Sequence, residues 1–198
     1  MGKISAIDIK KLWYTDCISK PLIPKASSSA TGKQGLDALL TSAKEIENVH
    51  QDTWQIEEGE ASQDSYRNQL NGHVYRLGRK QDGDLTVQFT VGQYDYATKA
   101  ALMGGNMLDE DGEVTTTASE AVGWERAKDS IEMYKTLIAL TVDDVYVVIS
   151  RASLNAREAN TDKAIGLAMS GMMTDPTVTG VSSEYWYDKS AVDTTQVG

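Results

Sequence analysis

Between residues 85 and 91 hydrophobic and polar positions alternate cleanly. Leu85, Val87, Phe89 and Val91 stand on one side, and Thr86, Gln88 and Thr90 on the other. This period predicts a strand with one buried and one wet face. The pattern then shifts to a short Ala-rich stretch, predicting a helix over residues 95–103. Asp95 stands at its N-cap, and Gly104 or Gly105 at the left-handed C-cap position. Upstream, Leu36, Leu39, Leu40, Ala43 and Ile46 recur at helical spacing while Lys44, Glu45 and Glu47 face outward, predicting a helix over residues 36–49.

The remaining signal is mostly strand. Residues 53–58 and 72–77 read as two arms of a long hairpin whose polar tip is EGEASQDSYRNQLNG, and Asp82-Gly83 reads as a further hairpin turn. After the Ala-rich helix comes an acidic loop, GGNMLDEDGEVTTTASE, with a helical turn expected around residues 120–128. Residues 134–142 and 145–151 flank Asp143-Asp144 as a tight hairpin, and VYVVIS is apolar on both faces, as a central strand should be. Residues 163–173 form another strand in which Gly166 and Gly171 mark a bulge or a close approach, and residues 184–187 a last one.

Residues 1–34 are mixed. Pro21, Pro24 and the run KASSSATGKQG exclude a helix and read as an arm and flexible linker. Its apolar residues Ile4, Ile7, Ile9, Leu12, Trp13 and Tyr14 need a surface to cover them. That surface is either a neighbouring subunit, which makes Trp13 and Tyr14 inter-subunit contact candidates, or their own domain, as an edge strand. The expected organisation is an arm and linker (1–34), a helix (35–50), a β-sandwich domain (51–190) and a tail (191–198). The fold class is mainly β, a sandwich or partly closed barrel with a flanking helix and an additional N-terminal one.

At 198 residues the chain suits one sizeable core. It carries a net charge of −10, which opposes binding to nucleic acid phosphates. No apolar run approaches the ~20 residues of a membrane span, and the opening MGKISAIDIKKLWYTD lacks the apolar core of a secretory signal, so the expected place of synthesis is the cytosol. The single cysteine, Cys17, excludes an internal disulfide.

Catalytic chemistry finds no pattern to stand on. His50 and His73 are tied to no nucleophile, and no GxSxG elbow is present. TGKQG around Lys33 lacks the leading glycine and following Ser/Thr of a phosphate loop. Asp109, Asp111 and Glu113 are too closely spaced for an EF-hand, so a solvated loop is the preferred reading. The four tryptophans are dispersed, and Tyr185-Trp186-Tyr187 is the one aromatic cluster, favouring core or subunit contacts over a sugar platform. The expectation is a protein that is not an enzyme and uses no metal or cofactor.

Three segments, LTVQFTVGQYDYATKAALMGG, YKTLIALTVDDVYVVIS and KAIGLAMSGMMTDPTVTGVSSEYWYD, occur in an order that resembles the tail tube (major tail) proteins of phages, over roughly residues 53–188. The inner tubes of contractile tails and of type VI secretion share that plan. The helix over residues 36–49 departs from the minimal family pattern. The resemblance implies a β-sandwich that forms stacked hexameric rings, with strands of six copies joined into an inner barrel. DNA and the tape-measure protein pass through that barrel without tight binding. It further implies contacts to terminator and baseplate proteins, no membrane, and a place in the virion tail after assembly in the host cytoplasm. On this plan Glu57, Glu58, Glu60, Asp64 and Arg67 of the hairpin become ring-to-ring contact candidates, and Thr86, Gln88 and Thr90 become candidates for the lumen wall. The alternatives are another tail component, such as a terminator or baseplate hub, or a carbohydrate-binding β-sandwich.

Overall fold

The backbone N–H and C=O groups of long strands need partners along their edges, and most of them find these in one nine-stranded sheet. The structure, a computed structural model, describes residues 8–26, 31–129, 131–161 and 163–193. In chain order the elements begin with β1 (Ile9–Thr15), β2 (Leu22–Ile23), β3 (Gln34–Gly35) and helix α1 (Leu36–Ser42). Then come β4 (Lys44–Glu45), β5 (Asn48–Val49), β6 (Gln55–Glu58), β7 (Ser65–Arg67), β8 (Val74–Leu77) and β9 (Leu85–Gln93), which leads into α2 (Tyr96–Met103). A small sheet follows, built from β10 (Asn106–Leu108), β11 (Val114–Thr115) and β12 (Gly123–Glu125). The described chain ends through β13 (Met133–Thr141), β14 (Val145–Thr161), β15 (Ala164–Met173), β16 (Glu184–Asp188) and α3 (Lys189–Val192).

The main sheet runs β4-β1-β13-β14-β15-β9-β5, with β16 added to β14 and β6 to β9. It curls into a half-barrel. Residues 44–49 touch both of its ends, because β4 pairs with β1 and β5 with β9. The curl encloses a core of Leu12, Tyr14, Val87, Phe89, Leu137, Ile149, Leu154 and Leu167, among others. A second core lies on the other face of β1, β13 and the start of β14, where Trp13, Ile138, Leu140, Tyr146 and Val148 meet Leu22, Leu36, Leu39 and Val192. Adjacent residues of the same strands therefore feed different cores. This is why VYVVIS is apolar on both faces.

Three segments of the N-terminal third differ from their sequence patterns. The presumed arm is β1, an interior strand between β4 and β13, and Trp13 and Tyr14 are buried in its own two cores. That burial satisfies the apolar residues that would otherwise call for a neighbouring subunit; Ile4 and Ile7 lie outside the described residues. The linker is docked where it is described: Leu22 is buried, β2 pairs with β3, and the Tyr187 hydroxyl donates to the Leu22 carbonyl at 2.8 Å. The helix predicted over residues 36–49 stops at Ser42. Leu36 and Leu39 belong to the second core and Ile46 to the first, so the chain must cross between them, and Ile46 N–H donates to the Leu12 carbonyl at 2.8 Å.

Elsewhere most of the pattern reads through. β9 alternates as expected, with Val87, Phe89 and Val91 almost fully buried. Asp95 caps α2, accepting from Thr98 N–H at 2.6 Å, and Gly104 ends it at φ 78°. Burial would raise the Asp95 carboxyl, but hydrogen bonds from Thr98 and Lys44 outweigh it and hold its pKa down at about 2. Gly171 marks a close approach: a Cβ there would lie 2.8 Å from Leu154 Cδ2. The turn expected around residues 120–128 is instead strand β12, anchored by Trp124, whose indole N–H donates to the Gly104 carbonyl at 2.9 Å.

Candidate assembly interface

Past the register shift near Ser150 and Arg151, β14 changes character. Its even-numbered residues Ala152 and Leu154 now enter the first core, and Ser153, Asn155 and Arg157 turn outward. From there β14, β15, β9 and β6 form a four-stranded layer with a single dry face. Cross-strand register places Asn155, Ser170, Gln88 and Gln55 in one row of the wet face. A second row runs Arg157, Ala168 and Thr90, and a third Ser153, Met172, Thr86 and Glu57. The three sequence-predicted wall residues Thr86, Gln88 and Thr90 thus sit in a surface made mostly of amides, hydroxyls and small side chains, with Arg157, Met172 and Glu57 among them. An open groove of about 340 Å³ lies along it, over the buried Phe89.

Among the described residues both sides of this layer end in edges with no partner strand. Among the described residues β6 pairs only with β9, and β14 from Asn155 to Thr161 has no strand on the edge that β13 covers farther back. Unpaired N–H and C=O groups in such rows are templates for another chain.

The hairpin projects from the β6–β9 end. Its register is nearly continuous: Gln55 faces Gln88, Glu58 faces Leu85, Ser62 faces Gln81, Ser65 faces Leu77 and Arg67 faces Val74. The arms therefore span residues 55–67 and 74–88, and the turn is residues 68–73. The predicted arms, residues 53–58 and 72–77, are parts of these longer arms that do not face each other, and Asp82-Gly83 is not a hairpin turn. Instead, Gly83 crosses Gly59 so closely that a Cβ would lie 1.9 Å from the Gly59 carbonyl oxygen. At the tip, Asn68 accepts from Leu70 N–H and Arg67 donates to the Gly72 carbonyl.

This redistributes the predicted hairpin contacts. Glu57 and Glu58 are paired into the main sheet at the base, Glu60 and Asp64 lie along the arm, and only Arg67 stands beside the tip. What the sequence reading passed over is the apolar character of the outer half: Tyr66, Leu70, Val74, Tyr75 and Leu77 are all exposed, Leu70 at 94%. The available signal was Val74, Tyr75 and Leu77 in HVYRLGRK, apolar residues on both faces of one short strand.

On the opposite flank, Lys99 of α2 is only 14% exposed. It pairs with Glu158 at 2.7 Å and lies 4.1 Å over the Trp124 ring, fastening the small sheet to β14. The hydrogen bond from Lys99 holds the Glu158 carboxyl below its ordinary range. In the acidic loop, Asp109 Oδ1 accepts from the N–H groups of Asp111 and Glu113, so this carboxylate shapes its own turn. Among the described residues no three His, Cys, Asp or Glu side chains gather as metal ligands, and no helix is long and apolar enough to cross a membrane. Tyr185 and Tyr187 stack on each other against the second core, whereas Trp186 is half exposed.

The geometry defines a class: a mainly β chain whose half-barrel offers a polar sheet face, a projecting hairpin and, among the described residues, two strand edges without a partner strand. The sequence matches no protein-family model and no curated protein.

Proposed function

We propose that this chain is a structural subunit of a phage or phage-like tail tube, assembling into hexameric rings that stack around a channel for DNA and the tape-measure protein. The observation that carries this reading is the four-stranded layer β6-β9-β15-β14, polar on one face and open at both edges. The β6 edge of one copy and the β14 edge of the next can pair, and closure of a ring removes the exposed edges from all copies. The wall so formed carries Thr86, Gln88, Thr90, Asn155 and Ser170, with one carboxylate, Glu57, and one cation, Arg157, on its two outer strands. Such a surface offers phosphates no cationic track and lets DNA slide. The hairpin supplies the ring-to-ring contact, and terminator and baseplate proteins close the two ends.

The test is negative-stain electron microscopy of the purified protein together with its mass in solution. Six-fold rings and hollow tubes are the expected result. Rings that never stack move the assignment to a tail terminator, and a monomer at every concentration overturns the tube reading.

A further inference from the structure

Charge is unevenly distributed over this chain. Overall it is −10, yet from Ser65 to Lys80 there are four cations, Arg67, Arg76, Arg79 and Lys80, and no carboxylate; Asp64 and Asp82 flank the stretch, and Asp82 pairs with Lys80 at 3.2 Å. The same stretch presents the exposed Tyr66, Leu70, Tyr75 and Leu77, with Arg76 lying 5.3 Å from the Tyr66 ring. A basic, apolar tip on an acidic protein is a surface built for an acidic partner with apolar spots of its own.

The chain carries such a surface at another place. Around the small sheet, Asp109, Glu110, Asp111, Glu113 and Glu120 stand without a Lys or Arg between Asn106 and Gly123. Val114 is 60% exposed and Val122 is 52% exposed beside them. From these two surfaces we infer that the outer half of the hairpin, residues 65–80, docks on the acidic β10–β11 loop of another copy of this chain. The inference rests on the tube reading for its choice of partner and deepens it by naming the receiving surface. The contact joins two different patches, so it is head-to-tail and repeats from ring to ring. Its attraction is between solvent-facing charges and falls as salt shortens the screening length from ~10 Å at 0.1 M.

The experiment uses the full chain with reversed charges: a tip variant (R76E with R79E), a loop variant (D111K with E113K), and all four changes together. Asp109, which shapes the loop, is left in place. Each single reversal is expected to raise the protein concentration needed for stacking by about tenfold or more while rings still form, since like charges then face each other. The combined variant regains stacking. Folding of each is checked by circular dichroism. Stacking by the tip variant at the wild-type concentration overturns the inference and leaves the tube reading intact, as does a folded combined variant no better than the single ones. Where the wild type forms no rings at all, the tube reading falls. Carbodiimide coupling in a mixture of isotopically labelled and unlabelled protein then decides the contact by itself. A cross-link from Lys80 of one copy to Asp111 or Glu113 of another supports it, and its absence overturns it.

Discussion

Replacing Asp95 with Ala should cost about 1–2 kcal/mol of stability at neutral pH, and the cost should vanish in acid. The carboxylate does two things: it caps α2 through Thr98 N–H at 2.6 Å, and it pairs with Lys44 of β4 at 2.9 Å. Loss of an N-cap costs ~1 kcal/mol. A pKa lowered from 3.8 to about 2 gives a second route to the magnitude. It converts to roughly 2 kcal/mol, and solvent screening reduces this to about 1 kcal/mol because the side chain is 59% exposed. The sign follows from the direction of the shift. A depressed carboxyl stabilises the fold above its unfolded pKa of 3.8, and that contribution disappears as pH falls through about 2. Urea unfolding of wild type and D95A at several pH values between 7 and 2 reads the difference. D95N should lie between them, since Asn caps well but cannot pair with Lys44. A gap between wild type and D95A that stays constant down to pH 2 refutes the ionised cap.

Other expectations test the two faces and the core. Phe89→Ala, at a position 1% exposed, should cost ~3–5 kcal/mol in urea unfolding, whereas Gln88→Ala next to it should stay within about 0.5 kcal/mol. Thr136 is fully buried, accepting from Ile18 N–H at 3.1 Å and donating to the Ser150 carbonyl at 2.6 Å, so Thr136→Val should cost about 2–3 kcal/mol despite its similar shape. Gln88→Lys with Ser170→Lys places two adjacent cations on the polar face. Mobility-shift titration should show DNA retention that weakens with salt, its log–log slope steepening by ~0.9 per phosphate engaged. Unchanged DNA behaviour would mean that this face does not line the channel.

The capped helix α2, the alternating strand before it and the Asp143-Asp144 hairpin were legible because each is a local pattern. Asp95, Gly104 and the period of two in residues 85–91 need no distant partner to declare themselves. Trp13 and Tyr14 show the opposite case. An apolar stretch states that it must be buried, but not against what, and only the sheet order places β1 between β13 and β4. Ile46 likewise fits helical spacing along the chain, and it leaves the helix because its place is in a different core from that of Leu39. The hairpin needed both kinds of information: polar composition announced it, while its register, its crossing at Gly59 and Gly83 and the exposure of Leu70 came from pairing across some thirty residues. By itself the sequence determined which residues seek burial and where short-range turns and caps fall, since those depend on neighbours within a few positions. The tertiary structure alone decided which face each strand presents to which core and which edges stay open, because those depend on pairings between segments far apart in the chain.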